Sequence, residues 1–172
     1  MKRIINLNSS FTGVATAITL GMLAWTSAHA QDIINPVAHA PEMASGEWLS
    51  YDRTLAGQRF SPLTDLNEKT VGKLGLAWSI DLDNNRRLEA TPLYSDGVLY
   101  TSLSWSRVMA VDAVTGNILW SFDPGVNKAK GRHACCDAVN RGVAMWKGKV
   151  YVGTLDGRLI ALYAKTGNEV WS

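Results

Sequence analysis

An all-β chain of repeated sheets with short strands is predicted by three features of the sequence. First, Gly97-Val98-Leu99-Tyr100-Thr101 recurs 51 positions on as Gly148-Lys149-Val150-Tyr151-Val152. The same shift carries Arg107 to Arg158, Ala110 to Ala161, Thr115-Gly116-Asn117 to Thr166-Gly167-Asn168 and Trp120-Ser121 to Trp171-Ser172. Second, each copy reads strand, polar turn, strand, Thr-Gly turn, strand. Third, each copy ends on a tryptophan. Self-similarity at this spacing, with about four short strands per unit, is the signature of a β-propeller blade. A β-sandwich is the structural alternative, but it has no reason to repeat Ala-x-x-Ala-x-Thr-Gly-x-x-x-Trp at a fixed shift.

In chain order, Lys2 and Arg3, an apolar run from Val14 to Trp25, and Ala28-His29-Ala30 read as a secretory signal peptide over residues 1–30. Cleavage is expected after Ala30, because the apolar core falls short of the about 20 residues a membrane span needs. Residues 31–46, with Pro36 and Pro41, form an extended lead-in. The repeat domain occupies 47–172. Its opening, Trp48-Leu49-Ser50-Tyr51-Asp52 and Gly57-Gln58-Arg59-Phe60-Ser61-Pro62-Leu63, suits short edge segments. Asn67 is placed to cap a short helix through Leu74, before Leu76-Ala77-Trp78-Ser79-Ile80 resumes as a strand. Trp78-Ser79 ends an earlier, less regular copy, 42 positions ahead of Trp120.

The first full copy has strands at Val98–Leu103, Val108–Asp112 and Ile118–Phe122. The second has them at Val150–Thr154, Leu159–Tyr163 and Glu169–Trp171, with Asp156-Gly157 as a hairpin turn. A tryptophan ending each copy can lie across the gap to the next blade and bury ~150–250 Å². Tyr163 stands where the first copy has Asp112. Two and a half blades cannot close a ring, so the chain reads as the amino-terminal part of a longer protein.

Charge excludes one class of partner. Of 17 Lys and Arg, Lys2 and Arg3 leave with the signal peptide, so 15 remain against 15 Asp and Glu. Nothing in that balance calls for nucleic acid or an anionic lipid surface. Lys128, Lys130 and Arg132 lie among small residues as a solvated loop.

Cys135 and Cys136 are the only cysteines, and they are adjacent. A disulfide between neighbours closes a small ring across Cα atoms only ~3.8 Å apart. Two packed thiols or a metal-binding dithiol are the other readings, and the last is weak, since adjacent thiolates chelate poorly and no further Cys is present. Export to an oxidising compartment favours the bonded pair.

Together these residues resemble the pyrroloquinoline-quinone (PQQ)-dependent alcohol dehydrogenases of the bacterial periplasm, from about Glu47 to Ser172. Cys135-Cys136-Asp137-x-Val139-Asn140-Arg141-Gly142 carries the most specific likeness. Ala110-x-Asp112-Ala113-x-Thr115-Gly116-x-x-x-Trp120 is typical of the propeller superfamily. Trp48-Leu49-Ser50-Tyr51, Arg59-Phe60-Ser61-Pro62-Leu63 and Asp81-Leu82-Asp83-x-Asn85-Arg86 are most similar to the quinohaemoprotein branch.

The resemblance implies a superbarrel of about eight blades, of which two to three are present. It implies that the bonded Cys135–Cys136 pair lies against one face of the quinone. Arg141 would then pair with a cofactor carboxylate, and Glu89 would be a further cofactor contact. Asp137 and Asn140 are expected to brace the loop, His133 to have a loop role, and Trp105 to pack structurally.

For the full enzymes the implied activity is oxidation of alcohols to aldehydes with PQQ and Ca²⁺. The calcium ligands and the catalytic base lie in later blades, so no catalytic or metal residue falls within 1–172. There is no Cys-x-x-Cys-His, so a haem c would belong to a carboxyl-terminal domain. Implied partners are a small alcohol and an electron acceptor, either a cytochrome c or a membrane quinone-linked subunit. The implied location is the periplasm, with room for association with the inner membrane. The 172 residues alone are expected not to turn over. The rival reading is a non-catalytic periplasmic propeller scaffold of the outer-membrane assembly type.

Overall fold

The computed structural model describes residues 46–54, 56–84 and 86–172; the expected signal peptide and most of the expected lead-in lie outside them. Two four-stranded antiparallel sheets carry the fold. The first has the order β1-β2-β3-β4, with β1 Leu93–Ser95, β2 Val98–Ser102, β3 Val108–Asp112 and β4 Ile118–Phe122. The second repeats it as β5-β6-β7-β8, with β5 Ala144–Trp146, β6 Lys149–Gly153, β7 Leu159–Tyr163 and β8 Glu169–Trp171. Each is a meander of neighbouring strands, the layout of a propeller blade.

The repeated alanine has a register reason. Tyr100, Ala110 and Trp120 are cross-strand partners in the first sheet, as are Tyr151, Ala161 and Trp171 in the second. A small residue between two large rings lets them tilt together over it, with centroids 6.0 Å apart in both sheets. In the first sheet this face meets the aliphatic face of the next: Tyr100, Val108 and Ala110 form one core with Val150, Val152, Ile160 and Leu162. The opposite face carries Met109 and Val111, which are covered by Trp78, Ile80 and Leu82. β3 is covered on both faces, and Val108 to Val111 are all buried.

Tryptophan docking fixes the stacking. The indole N–H of Trp120 donates to the Ala164 carbonyl at 2.8 Å, and that of Trp78 to the Ala113 carbonyl at 3.1 Å. These acceptors are 51 positions apart, so both rings reach the same place in successive sheets. Each ring lies on the glycine of a Thr-Gly turn: a Cβ on Gly167 would be 2.5 Å from Trp120, and one on Gly116 2.6 Å from Trp78. Both glycines also take positive φ, +71° and +75°. Space and backbone therefore both demand glycine there.

Both Thr-Gly turns share a backbone bond, from Gly116 N–H to the Asp112 carbonyl and from Gly167 N–H to the Tyr163 carbonyl, but they are finished differently. In the first, the Asp112 carboxylate accepts from the Val114 and Thr115 N–H groups and the Thr115 hydroxyl. Tyr163 cannot do this, and its turn is held by its carbonyl, which accepts from Thr166 and Gly167 at 3.2 and 2.8 Å.

Three expectations need correction. The helix from Asn67 to Leu74 is only a 3₁₀ turn at Val71–Lys73. The Asn67 side chain caps Lys69 N–H, but the Thr70 hydroxyl donates to the Asp65 carbonyl and Gly72 follows, so no α-helical ladder propagates. Residues 76–80 form no strand and have no ladder partner among the described residues, and Leu76 is 86% exposed. Of the two opening runs read as short edge segments, the first makes a single bridge, Trp48 to Tyr94 on β1, and the second makes none among the described residues.

Acid lability follows from the turn of the second sheet. Asp156 accepts from Arg158 and from the Thr154 hydroxyl, and these hold its carboxyl down to about 2. Asp112, Asp83 and Asp137 are likewise held below the usual carboxylate range, chiefly by Thr115, by Arg107 and by the Ala138 N–H respectively. A folded-state pKa below the unfolded one, about 4, adds stability above that pH, which is lost as pH falls through the folded value. Melting temperature should therefore drop between pH 4 and 2, and Asp156→Asn should flatten that slope. An Asp156→Asn protein with the parental pH profile would contradict this.

Candidate functional site

The connection between β4 and β5, Asp123 to Val143, holds the adjacent cysteines. It opens with Asp123 accepting from Gly125 N–H at 2.9 Å, then a 3₁₀ turn over Lys128–His133 capped by Asn127, whose side chain accepts from Ala129 N–H at 2.9 Å. Arg158 ties the opening down by donating to the Pro124 carbonyl at 2.7 Å. The basic residues of this turn, expected as a solvated loop, are exposed at Lys128, Lys130 and Arg132. Cys135 and Cys136 are bonded to each other, with Cα atoms 3.8 Å apart, and Cys135 is exposed. The thiol and dithiol readings do not describe this structure.

Beyond the disulfide, the loop is pinned by its polar side chains. Asp137 turns left-handed at φ 73° and pairs with Arg86 at 2.8 Å. Asn140 uses its amide fully: Nδ2 donates to the Gly153 carbonyl at 2.8 Å and to Ser106 Oγ at 3.2 Å, while Oδ1 accepts from Gly142 N–H at 3.1 Å. Trp105 packs against Gly131. His133 ends the 3₁₀ turn, and among the described residues no three His, Cys, Asp or Glu side chains converge to hold a metal.

Arg141 and Glu89 are 52 positions apart in sequence and meet in space, with Nε to Oε2 at 3.4 Å. The Arg141 side chain is 75% exposed and that of Glu89 34%. A guanidinium held from one side by a carboxylate keeps further N–H donors turned outward, in a planar fork that matches a second carboxylate. The disulfide lies four and five residues before the anchoring amide of Asn140, on the same pinned loop. Arg86 and Ser106 are the contributors that sequence reasoning missed as loop anchors. Arg86 was visible only as part of a motif, and no local pattern links Ser106 to Asn140, 34 positions on.

Tryptophan-docked antiparallel blades define a propeller, and the loop with the adjacent-cysteine disulfide and its Arg–Glu pair holds the residues on which the resemblance to the quinoproteins rests. Residues 48–172 match the family described as the PQQ glucose/ethanol/alcohol dehydrogenase beta-propeller domain, and the chain belongs to that family.

Quinohemoprotein alcohol dehydrogenase ADH IIB of Pseudomonas putida is 67% identical over 133 residues, covering 77% of this chain and 19% of that protein. ADH-IIG of the same species is 50% identical over 163 residues, covering 92% of this chain and 23% of that protein. Among solved structures, the quinohemoprotein alcohol dehydrogenase of Comamonas testosteroni superposes with a TM-score of 0.73 at 50% identity, over 78% of this chain and 20% of that one. A europium-containing methanol dehydrogenase gives a TM-score of 0.70 at 35% identity, over 78% and 24%. The chain thus spans about a fifth of the length of these relatives.

Proposed function

We propose that this chain forms one wall of the PQQ site in a periplasmic alcohol dehydrogenase. The observation that carries the proposal is the bonded Cys135–Cys136 pair on a loop that also presents Arg141 against Glu89. Membership of the family supports the cofactor, and the names of the relatives support an alcohol as substrate.

The donor set fits a flat quinone bearing several carboxylates. An exposed disulfide offers a polarisable, non-hydrogen-bonding surface for a ring face and keeps water off it. Arg141 offers the cation for a carboxylate, and Glu89 holds that cation in place while leaving its outer donors open. Asp137 and Asn140 hold the loop so that plate and cation keep a fixed separation. The disulfide face and Arg141 are the groups here that would hold PQQ, which with Ca²⁺ would supply an electrophile able to take a hydride from the alcohol carbon while a base took the hydroxyl proton. The calcium ligands and that base are assigned to the part of the enzyme outside this chain, as is any haem c. The electron acceptor expected for such an enzyme is of the cytochrome c or membrane quinone class.

The test is reconstitution of the full-length protein with PQQ and Ca²⁺, followed by dye-linked oxidation of primary alcohols. Quinone-dependent dye reduction is the expected result. A full-length protein that binds no quinone would instead be a propeller scaffold.

A further inference from the structure

Ser104, Trp105 and Ser106 make the turn between β2 and β3. Trp105 lies at φ 62°, ψ 23° and Ser106 at φ 60°. Residues with a Cβ avoid this left-handed region, and two in succession persist only where their surroundings over-determine them. Those surroundings are the segments that carry the cofactor wall. Ser104 Oγ donates to the Arg87 carbonyl at 3.2 Å, two residues before Glu89. The Trp105 N–H donates to the Ala138 carbonyl at 2.9 Å, two residues after Cys136. Ser106 Oγ, fully buried, accepts from Asn140 Nδ2 and from Leu155 N–H, both at 3.2 Å, and Asn140 adjoins Arg141. The Trp105 ring lies so close to Gly131 that a Cβ there would sit 2.9 Å from it.

We propose that Ser104-Trp105-Ser106 is a left-handed elbow that positions the cofactor wall, with Ser106 as the positioning residue that sets the disulfide relative to Arg141. Three consecutive residues of the first blade grip the three segments bearing Glu89, the disulfide and Arg141. Relaxing the elbow to negative φ would redirect the chain and withdraw the Trp105 N–H and the Ser106 hydroxyl from the loop together. That accounts for a costly backbone being kept in a turn where glycine or asparagine would be easier. The inference rests on the quinone-site reading for its consequence, though not for its geometry.

The experiment uses the full-length apoprotein carrying Ser106→Ala or Gly131→Ala. The first removes the acceptor shared by Asn140 and Leu155. The second pushes the Trp105 ring off the loop without deleting a hydrogen bond, and it carries the test if the first does not fold. Dithiothreitol should reduce Cys135–Cys136 about fivefold faster in the variants, read by thiol trapping and mass spectrometry, because the loop opens more often. PQQ affinity should fall about tenfold, the scale of a lost supporting contact, and the absorption of the bound quinone should shift while the melting temperature holds within a few degrees. Reduction rate and affinity within twofold of the parent would overturn the elbow, as would losses that merely track a falling melting temperature. If the parent itself binds no PQQ, the quinone-site reading fails, and the reduction rate alone decides for or against the elbow.

Discussion

Trp120→Ala is expected to cost about 3 kcal/mol of stability at the junction between the two sheets, near the low end for deleting a large packed aromatic. The ring lies on Gly167, pairs with Tyr100 and donates to the Ala164 carbonyl, so removing it opens a gap and strands an acceptor. Trp120→Phe keeps much of the packing and should cost about 1 kcal/mol for the hydrogen bond, with a further loss for the smaller ring. Gly167→Ala attacks the same joint from the other side and should destabilise too, because its Cβ has no room and its φ is +71°. Urea unfolding of the full-length protein, followed by tryptophan fluorescence and circular dichroism, would rank the three. If Trp120→Ala shifted the midpoint no further than Trp120→Phe, ring packing would not be what joins the blades.

Arg141→Ala should weaken PQQ binding by roughly tenfold to a hundredfold, the worth of a hydrogen-bonded charge contact of about 1.5–3 kcal/mol. The side chain is mostly exposed, so little stability should be lost with it. Arg141→Lys should recover only part of the affinity, since an ammonium cannot present a planar fork. Glu89→Gln gives a useful contrast: it weakens the hold on Arg141 at 3.4 Å while leaving the cation in place, so its effect should be smaller than that of Arg141→Ala. Equilibrium titration of the full-length apoprotein with PQQ would show the order. Equal affinities for Arg141→Ala and the parent would remove Arg141 from the site.

The parts of this account that were legible in the sequence share a physical cause. Strands β2 to β4 and β6 to β8 repeat with their turns, and Val108–Asp112, Ile118–Phe122, Leu159–Tyr163 and Glu169–Trp171 are found where the pattern places them. β1 and β5 were not legible as separate strands, because three residues each, Leu93–Ser95 and Ala144–Trp146, are too short to show alternation. The strand expected at 76–80 misled for a different reason. Its composition suits a strand, but a ladder needs a second chain segment, and none of the described residues provides it.

At the site, adjacency made the cysteine pair visible, and the motif around it pointed to Arg141. The meeting of Arg141 with Glu89 depends on how two loops pack 52 positions apart. The left-handed Trp105 and Ser106 were invisible, since neither residue type signals positive φ. Tertiary contacts impose that backbone, and only the fold reveals them.

Cys135→Ser with Cys136→Ser tests the central claim most directly, by PQQ titration of the full-length apoprotein against its parent, with the parent's disulfide verified by intact mass before and after alkylation. The account predicts a parent with no free thiol that binds one quinone per chain, and a variant at least about tenfold weaker with its fold retained. Two free thiols in the parent, or equal affinity in the variant, would contradict it.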